Sequence, residues 1–205
     1  MQTLPVPQPD SLRRHPLVWL VIIVSCVPYL LLTAQNLAAI SSWFLPLTGR
    51  ELLNNVAFWQ LWTPTFVHYT LVHLLTNVYL WWLFASRIEA ESRIELALVF
   101  LLIAASSNAC QWWFYGPQFG GLSGVVYGLL SYCWLQAALG RRAAYRIDGT
   151  FTLVLLALIP LAATGMFGKF SDAAHISGLF SGAVLAGFVL LFRKYKKLNK
   201  ENRIC

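Results

Sequence analysis

The chain has 205 residues, of which 58% are hydrophobic and only 11% charged. A soluble domain of this length carries roughly twice that charged fraction, so the composition excludes an ordinary water-soluble globule and points to a bilayer as solvent. The formal charge of +7 lies in short basic runs between apolar stretches, which is a pattern of membrane topology rather than of nucleic-acid binding.

Residues 1–16 are polar and Pro-rich, with Arg13 and Arg14 just ahead of the first apolar run. They read as a short cytoplasmic tail. Leu17–Leu37 is long enough to span, and its length and lack of a small-residue cleavage site argue against a removed leader. Residues 38–70 are too polar to span and too aromatic for a flexible linker, with Trp43, Phe44, Phe58, Trp59, Trp62, Phe66 and Tyr69. They are expected at the membrane surface, with short helices in the interface.

Five more apolar runs follow, at about Leu71–Ser86, Glu95–Phe114, Ser123–Leu139, Thr150–Phe167 and Ala173–Phe192. The expected architecture is an all-α membrane protein with six transmembrane helices over 17–192 and a basic cytoplasmic tail over 193–205. With a cytoplasmic N-terminus, six spans put thirteen of the fifteen basic residues on the cytoplasmic side and only Arg50 and Lys169 opposite. That asymmetry supports both the count and the orientation. The four cysteines, Cys26, Cys110, Cys133 and Cys205, form no CxxC or Cys/His ligand spacing. A metal site is not expected.

Polar groups inside a span cost several kcal/mol and are functional candidates. His73 and Asn77, in HLLTN, are four residues apart and share a helical face. Alone they could be an interhelical packing pair. The segment GGLSGVVYG, residues 120–128, leads into an apolar helix with Ser123 at its start. Free N–H groups and a partial positive charge there suit an oxyanion. Alone, Ser123 could be an N-cap followed by small-residue packing at Gly124 and Gly128. The segment AHISGLFSG, residues 174–182, opens the sixth run with His175 and places Gly178 and Gly182 at GxxxG spacing, matching Gly124 and Gly128. Close packing of these two helices would bring His175 to Ser123.

Together these residues specify acyl transfer: Ser123 as nucleophile and His175 as general base, then acid to the leaving amine. His73, Asn77 and the Ser123 backbone N–H would hold the oxyanion, with Gly121 and Leu122 in oxyanion or substrate-binding positions. Asp172, three residues before His175, reads better as a helix N-cap than as a third triad member.

At these residues the sequence resembles the rhomboid intramembrane proteases, and within them the bacterial GlpG type. The resemblance covers about residues 59–190. It rests on WQLWTPTFVHYTLVHLLTN, which carries His68, His73 and Asn77, on FGGLSGVVYG with Gly121, Ser123, Gly124 and Tyr127, and on AHISGLFSG with Ala174, His175, Gly178 and Gly182. It implies that Tyr127 packs on the catalytic histidine, and it places Glu89 where the family has an acidic residue at the inner end of the second span. Gln60 follows Trp59 where the family often carries Arg.

The resemblance further implies a helical bundle in a bacterial inner membrane, with a water-filled site facing the periplasm. The implied activity is cleavage of membrane proteins within a transmembrane segment, without cofactor or metal, by a Ser–His dyad. Substrates would enter laterally, gated near the fifth span. Three other readings stand beside this one: an inactive rhomboid-like chaperone or adaptor, a rhombosortase-type processing protease, and a small transporter hinted at by Pro160 and Gly165.

Overall fold

The computed structural model describes residues 11–34, 37–46, 49, 51, 58–140, 142–163 and 172–201. All regular structure among them is helical. Six long helices follow in order: α1 (Pro16–Thr33), α2 (Leu71–Glu91), α3 (Arg93–Tyr115), α4 (Ser123–Ala138), α5 (Gly149–Ala163) and α6 (Asp172–Glu201). Each falls on one of the six apolar runs. Three of them, α1, α3 and α6, are long and apolar enough to cross a membrane, and α5 supplies a shorter apolar stretch, Gly149–Ile159.

The helix boundaries have local causes. Thr70 caps α2, its side chain accepting the His73 N–H at 3.1 Å. Ser92 separates α2 from α3 through a single extended residue. Its N–H ends α2 on the Ile88 carbonyl at 2.8 Å, and its side chain accepts the Glu95 N–H at 3.2 Å to start α3. Gly116, at φ +80°, ends α3 in a conformation other residues resist. Pro16 opens α1, and the next two N–H groups, of Leu17 and Val18, donate to the two oxygens of the buried Glu89 carboxylate at 2.9 and 3.0 Å. That residue is therefore a remote helix cap, and its negative charge sits where the helix dipole favours it.

Two helices run beyond their predicted limits. The second continues to Glu91 and the sixth to Glu201, because neither Arg87 nor the RKYKKLNK stretch contains a helix breaker. The expected C-terminal tail is thus helical through residue 201. The fifth run is helical to Ala163, and its expected continuation, with Gly165 and Lys169, lies outside the described residues, as do Arg50, Arg203 and Cys205.

At the centre is α4, where Leu129, Leu130, Tyr132 and Cys133 are almost wholly buried. It packs closely on α6 through two pairs of glycines. A methyl group on Gly178 would strike the Gly124 carbonyl oxygen, and one on Gly182 the Gly128 carbonyl oxygen. Backbone meets backbone along this seam, so helix contact rests on dispersion and short polar contacts rather than on side-chain burial. Ser131 Oγ donates across it to the Leu179 carbonyl at 2.7 Å, and Gln136 Nε2 to the Ala186 carbonyl at 3.2 Å.

Candidate active site

Ser123 is the first residue of α4, and His175 lies in the first turn of α6. Because the glycine seam starts just beyond them, the two helices converge there, and His175 Nε2 stands 2.8 Å from Ser123 Oγ. His175 is buried, and the Tyr127 ring lies against it with centroids 4.8 Å apart. Its Nδ1 is buried without a hydrogen-bond partner among the described residues. Asp172 is the first helical residue of α6, and its side chain lies outside that set.

His73 arrives from the first turn of α2. Gly121 has φ +121°, and a methyl group there would come within 2.7 Å of His73 Nε2 and 3.9 Å of Ser123 Oγ. Glycine is needed on both counts: for the backbone angle and to let the imidazole lie against the chain. Asn77, one turn below and buried, donates its amide to the His73 carbonyl at 2.8 Å. His73, Asn77, Gly121, Ser123 and His175 therefore lie at one end of the bundle. Leu122 differs from the others: its side chain is fully buried in the core, and its N–H points at His68 Nε2 at 3.4 Å.

His68 was noted in the sequence only for its position, and the structure gives it a definite set of partners. Its Nδ1 lies 3.0 Å from the Phe66 carbonyl oxygen, which can only accept, so Nδ1 carries the proton and Nε2 is free to receive the Leu122 N–H. Burial, with a smaller contribution from His73, lowers its pKa from 6.5 to about 4. The neutral ring thereby joins the loop ahead of α2 to the segment that leads into Ser123. A second link is the Gly121 N–H, which donates to the Pro64 carbonyl at 3.0 Å.

Gln111 and Asn108 are further contributors. Gln111 Oε1 accepts the Ala174 N–H at 3.0 Å, anchoring the start of α6 one residue before His175. Asn108 Nδ2 holds the first loop through the Leu61 carbonyl and Thr65 Oγ1, both at 2.8 Å. The signal was present in the sequence: Ser107, Asn108 and Gln111 form a polar patch in a span that is otherwise apolar. Gln60 donates to the Ser42 carbonyl at 3.1 Å, so the residue standing in place of the family's Arg still ties its loop down.

The arrangement places a serine hydroxyl beside an imidazole and at the N-terminal end of a helix. The Rhomboid domain family model matches residues 55–192. The chain belongs to the rhomboid family. Related rhomboids include the proteins named Rhomboid protease GlpG from Salmonella paratyphi A (strain ATCC 9150 / SARB42), 29% identical over 180 residues, and from Salmonella typhi, 30% identical over 183 residues. In both cases the match covers 85% of this chain and 63% of the relative. This rhomboid thus spans less than two thirds of the length of the curated relatives it matches. Its apolar helices and family membership make it an integral membrane protein.

Proposed function

We propose that this rhomboid is a serine endopeptidase that cleaves membrane proteins within a transmembrane segment, using Ser123 and His175 as a dyad. The observation that carries the reading is the 2.8 Å contact between His175 Nε2 and Ser123 Oγ. His175 takes the Ser123 proton as Oγ attacks the peptide carbonyl, then returns it to the leaving amine. A water molecule, deprotonated by the same imidazole, hydrolyses the acyl-enzyme. The Ser123 N–H, at a helix start where donors have no intrahelical partner, faces the developing oxyanion together with the His73 and Asn77 side chains. One such donor supplies roughly 3 kcal/mol. Among the described residues His175 Nδ1 has no hydrogen-bond partner, which agrees with a dyad.

The reading includes six membrane crossings with both termini cytoplasmic in a bacterial inner membrane, supported by the basic-residue asymmetry. The α4 helix, 16 residues long, measures about 24 Å at 1.5 Å per residue. A hydrocarbon core is about 30 Å thick. Ser123 then lies below the periplasmic surface, at the depth of a substrate helix. No cofactor or metal enters this chemistry.

The test is labelling of the purified full chain in detergent with a fluorophosphonate probe, read as intact mass. One adduct on wild type, lost in Ser123→Ala and in His175→Ala, is the expected result. Folded wild-type protein without an adduct would overturn the dyad and favour a chaperone or adaptor role.

A further inference from the structure

A groove of about 260 Å³ runs between α1 and α3, away from Ser123. Its walls include Leu20 and Val24 of α1, Ala97, Phe100 and Leu101 of α3, and Phe66 of the first loop. It faces outward, since Leu20 and Leu101 are about half exposed. Bilayer lipid fills any such groove, so apolarity alone identifies nothing. What distinguishes this one is its end.

The residues Arg93, Ala97, Phe100 and Leu101 follow one face of α3 at spacings of four, three and one. The groove therefore runs out, at the start of α3, under the exposed Arg93 side chain, whose Nε is 3.8 Å from the Glu89 carboxylate. The other wall begins in the same way, because the exposed Arg13 and Arg14 immediately precede α1. From Arg93 to Leu101 the helix rises about 12 Å at 1.5 Å per residue. One leaflet of a 30 Å hydrocarbon core is about 15 Å deep. Arg93 thus stands about one leaflet from the far end of the groove, which sets the cation at headgroup depth and the apolar wall, Leu96 to Leu101, at acyl-chain depth.

We infer that this groove is a binding site for an anionic glycerophospholipid, one acyl chain lying between α1 and α3 and the phosphate meeting Arg93. The bound chain packs under Phe66, whose ring also contacts Phe100 and Trp43 with centroids 6.1 and 6.5 Å apart. Phe66 belongs to the loop whose Pro64 carbonyl holds Gly121. The lipid is therefore a structural ligand that supports the nucleophile segment from the opposite side. The site depends on the chain being a membrane protein and not on its being a protease.

The experiment is native mass spectrometry of the detergent-solubilised full chain, titrated separately with dioleoyl phosphatidylglycerol and dioleoyl phosphatidylcholine. Wild type is expected to bind a first phosphatidylglycerol about tenfold more tightly than phosphatidylcholine, the equivalent of one charge-assisted contact. Arg93→Gln, an exposed change that leaves the fold intact, is expected to remove most of that preference. Ala97→Phe, which fills the groove, is expected to weaken both lipids. Val184→Phe, on exposed α6 surface, is the control and changes neither. Equal affinity for the two lipids in wild type would overturn the inference. So would a phosphatidylglycerol preference that survives Arg93→Gln, since the phosphate would then meet another cation.

Discussion

The Tyr127 hydroxyl donates to the Leu155 carbonyl oxygen at 2.8 Å while the same ring lies 4.8 Å from the His175 ring. One side chain thus packs the candidate base and fastens α5 to α4. The α5 helix also meets α2, where the Phe84 and Phe151 rings have centroids 6.5 Å apart. Tyr127→Phe should keep the His175 packing and lose only the tether, a cost of about 1 kcal/mol. Fluorophosphonate labelling should persist, and amide exchange in α5 should speed up. Unchanged exchange there would show that the tether does not hold the helix.

The glycine seam makes a paired prediction. In Gly178→Ala or Gly182→Ala the new methyl group meets backbone carbonyl oxygen, which cannot swing aside. Each should cost at least about 2 kcal/mol through overpacking, and should reduce labelling by pushing His175 away from Ser123. Gly187, farther along α6, has nothing within 4 Å of an added methyl. Gly187→Ala should therefore be neutral or stabilise by up to about 1 kcal/mol through helix propensity. Unfolding midpoints of the three variants in one detergent decide it.

Gly121→Ala tests the loop. The substitution is strained at φ +121° and drives a methyl group toward His73 Nε2. Since Gly121 precedes α4 and makes no glycine-to-glycine contact with α6, labelling should fall by more than tenfold while stability falls by only about 1–3 kcal/mol. Equal labelling in Gly121→Ala and wild type would show that His73 need not approach the backbone so closely.

His68 sets an acid limit. Its folded pKa of about 4 lies below the ordinary 6.5, so the unfolded chain takes up the proton first as pH falls. The stability associated with neutral His68 is complete above about pH 6.5 and is lost progressively down to pH 4, on the order of 3 kcal/mol in all. His68→Gln, which keeps a donor and an acceptor but does not titrate, should flatten this part of the stability profile. An identical profile in wild type and variant would assign the acid sensitivity elsewhere.

Glu95 is the hub of the far end. Its Oε1 accepts from Tyr132, Tyr145 and Arg142 at 2.7, 2.9 and 3.1 Å, and its Oε2 from Arg193 at 2.6 Å. Arg142 also stacks over Tyr145 and pairs with Glu91 at 2.7 Å. Glu95→Ala leaves four donors without their shared acceptor and should cost about 3 kcal/mol. Labelling of the protein that remains folded should be normal, because Ser123 lies at the other end of α4. Loss of labelling in folded protein would reveal coupling along the helix.

Composition and apolar run length were enough to read the solvent, the helical class and the places where helices form. Apolar runs of span length admit little else, since every backbone group must be satisfied within the segment. The sequence also singled out Ser123, His175, His73 and Asn77, because polar side chains stand out against an apolar background and two matched GxxxG spacings suggested which helices meet. How these groups are held emerges only in the folded bundle. Glu89 caps α1 from 71 and 72 residues away, His68 receives the Leu122 N–H across 54, and Gln111 receives the Ala174 N–H across 63. Local periodicity carries no trace of such pairings. They exist because orphaned backbone donors, buried when the bundle closes, must find acceptors in whatever part of the chain the fold brings beside them.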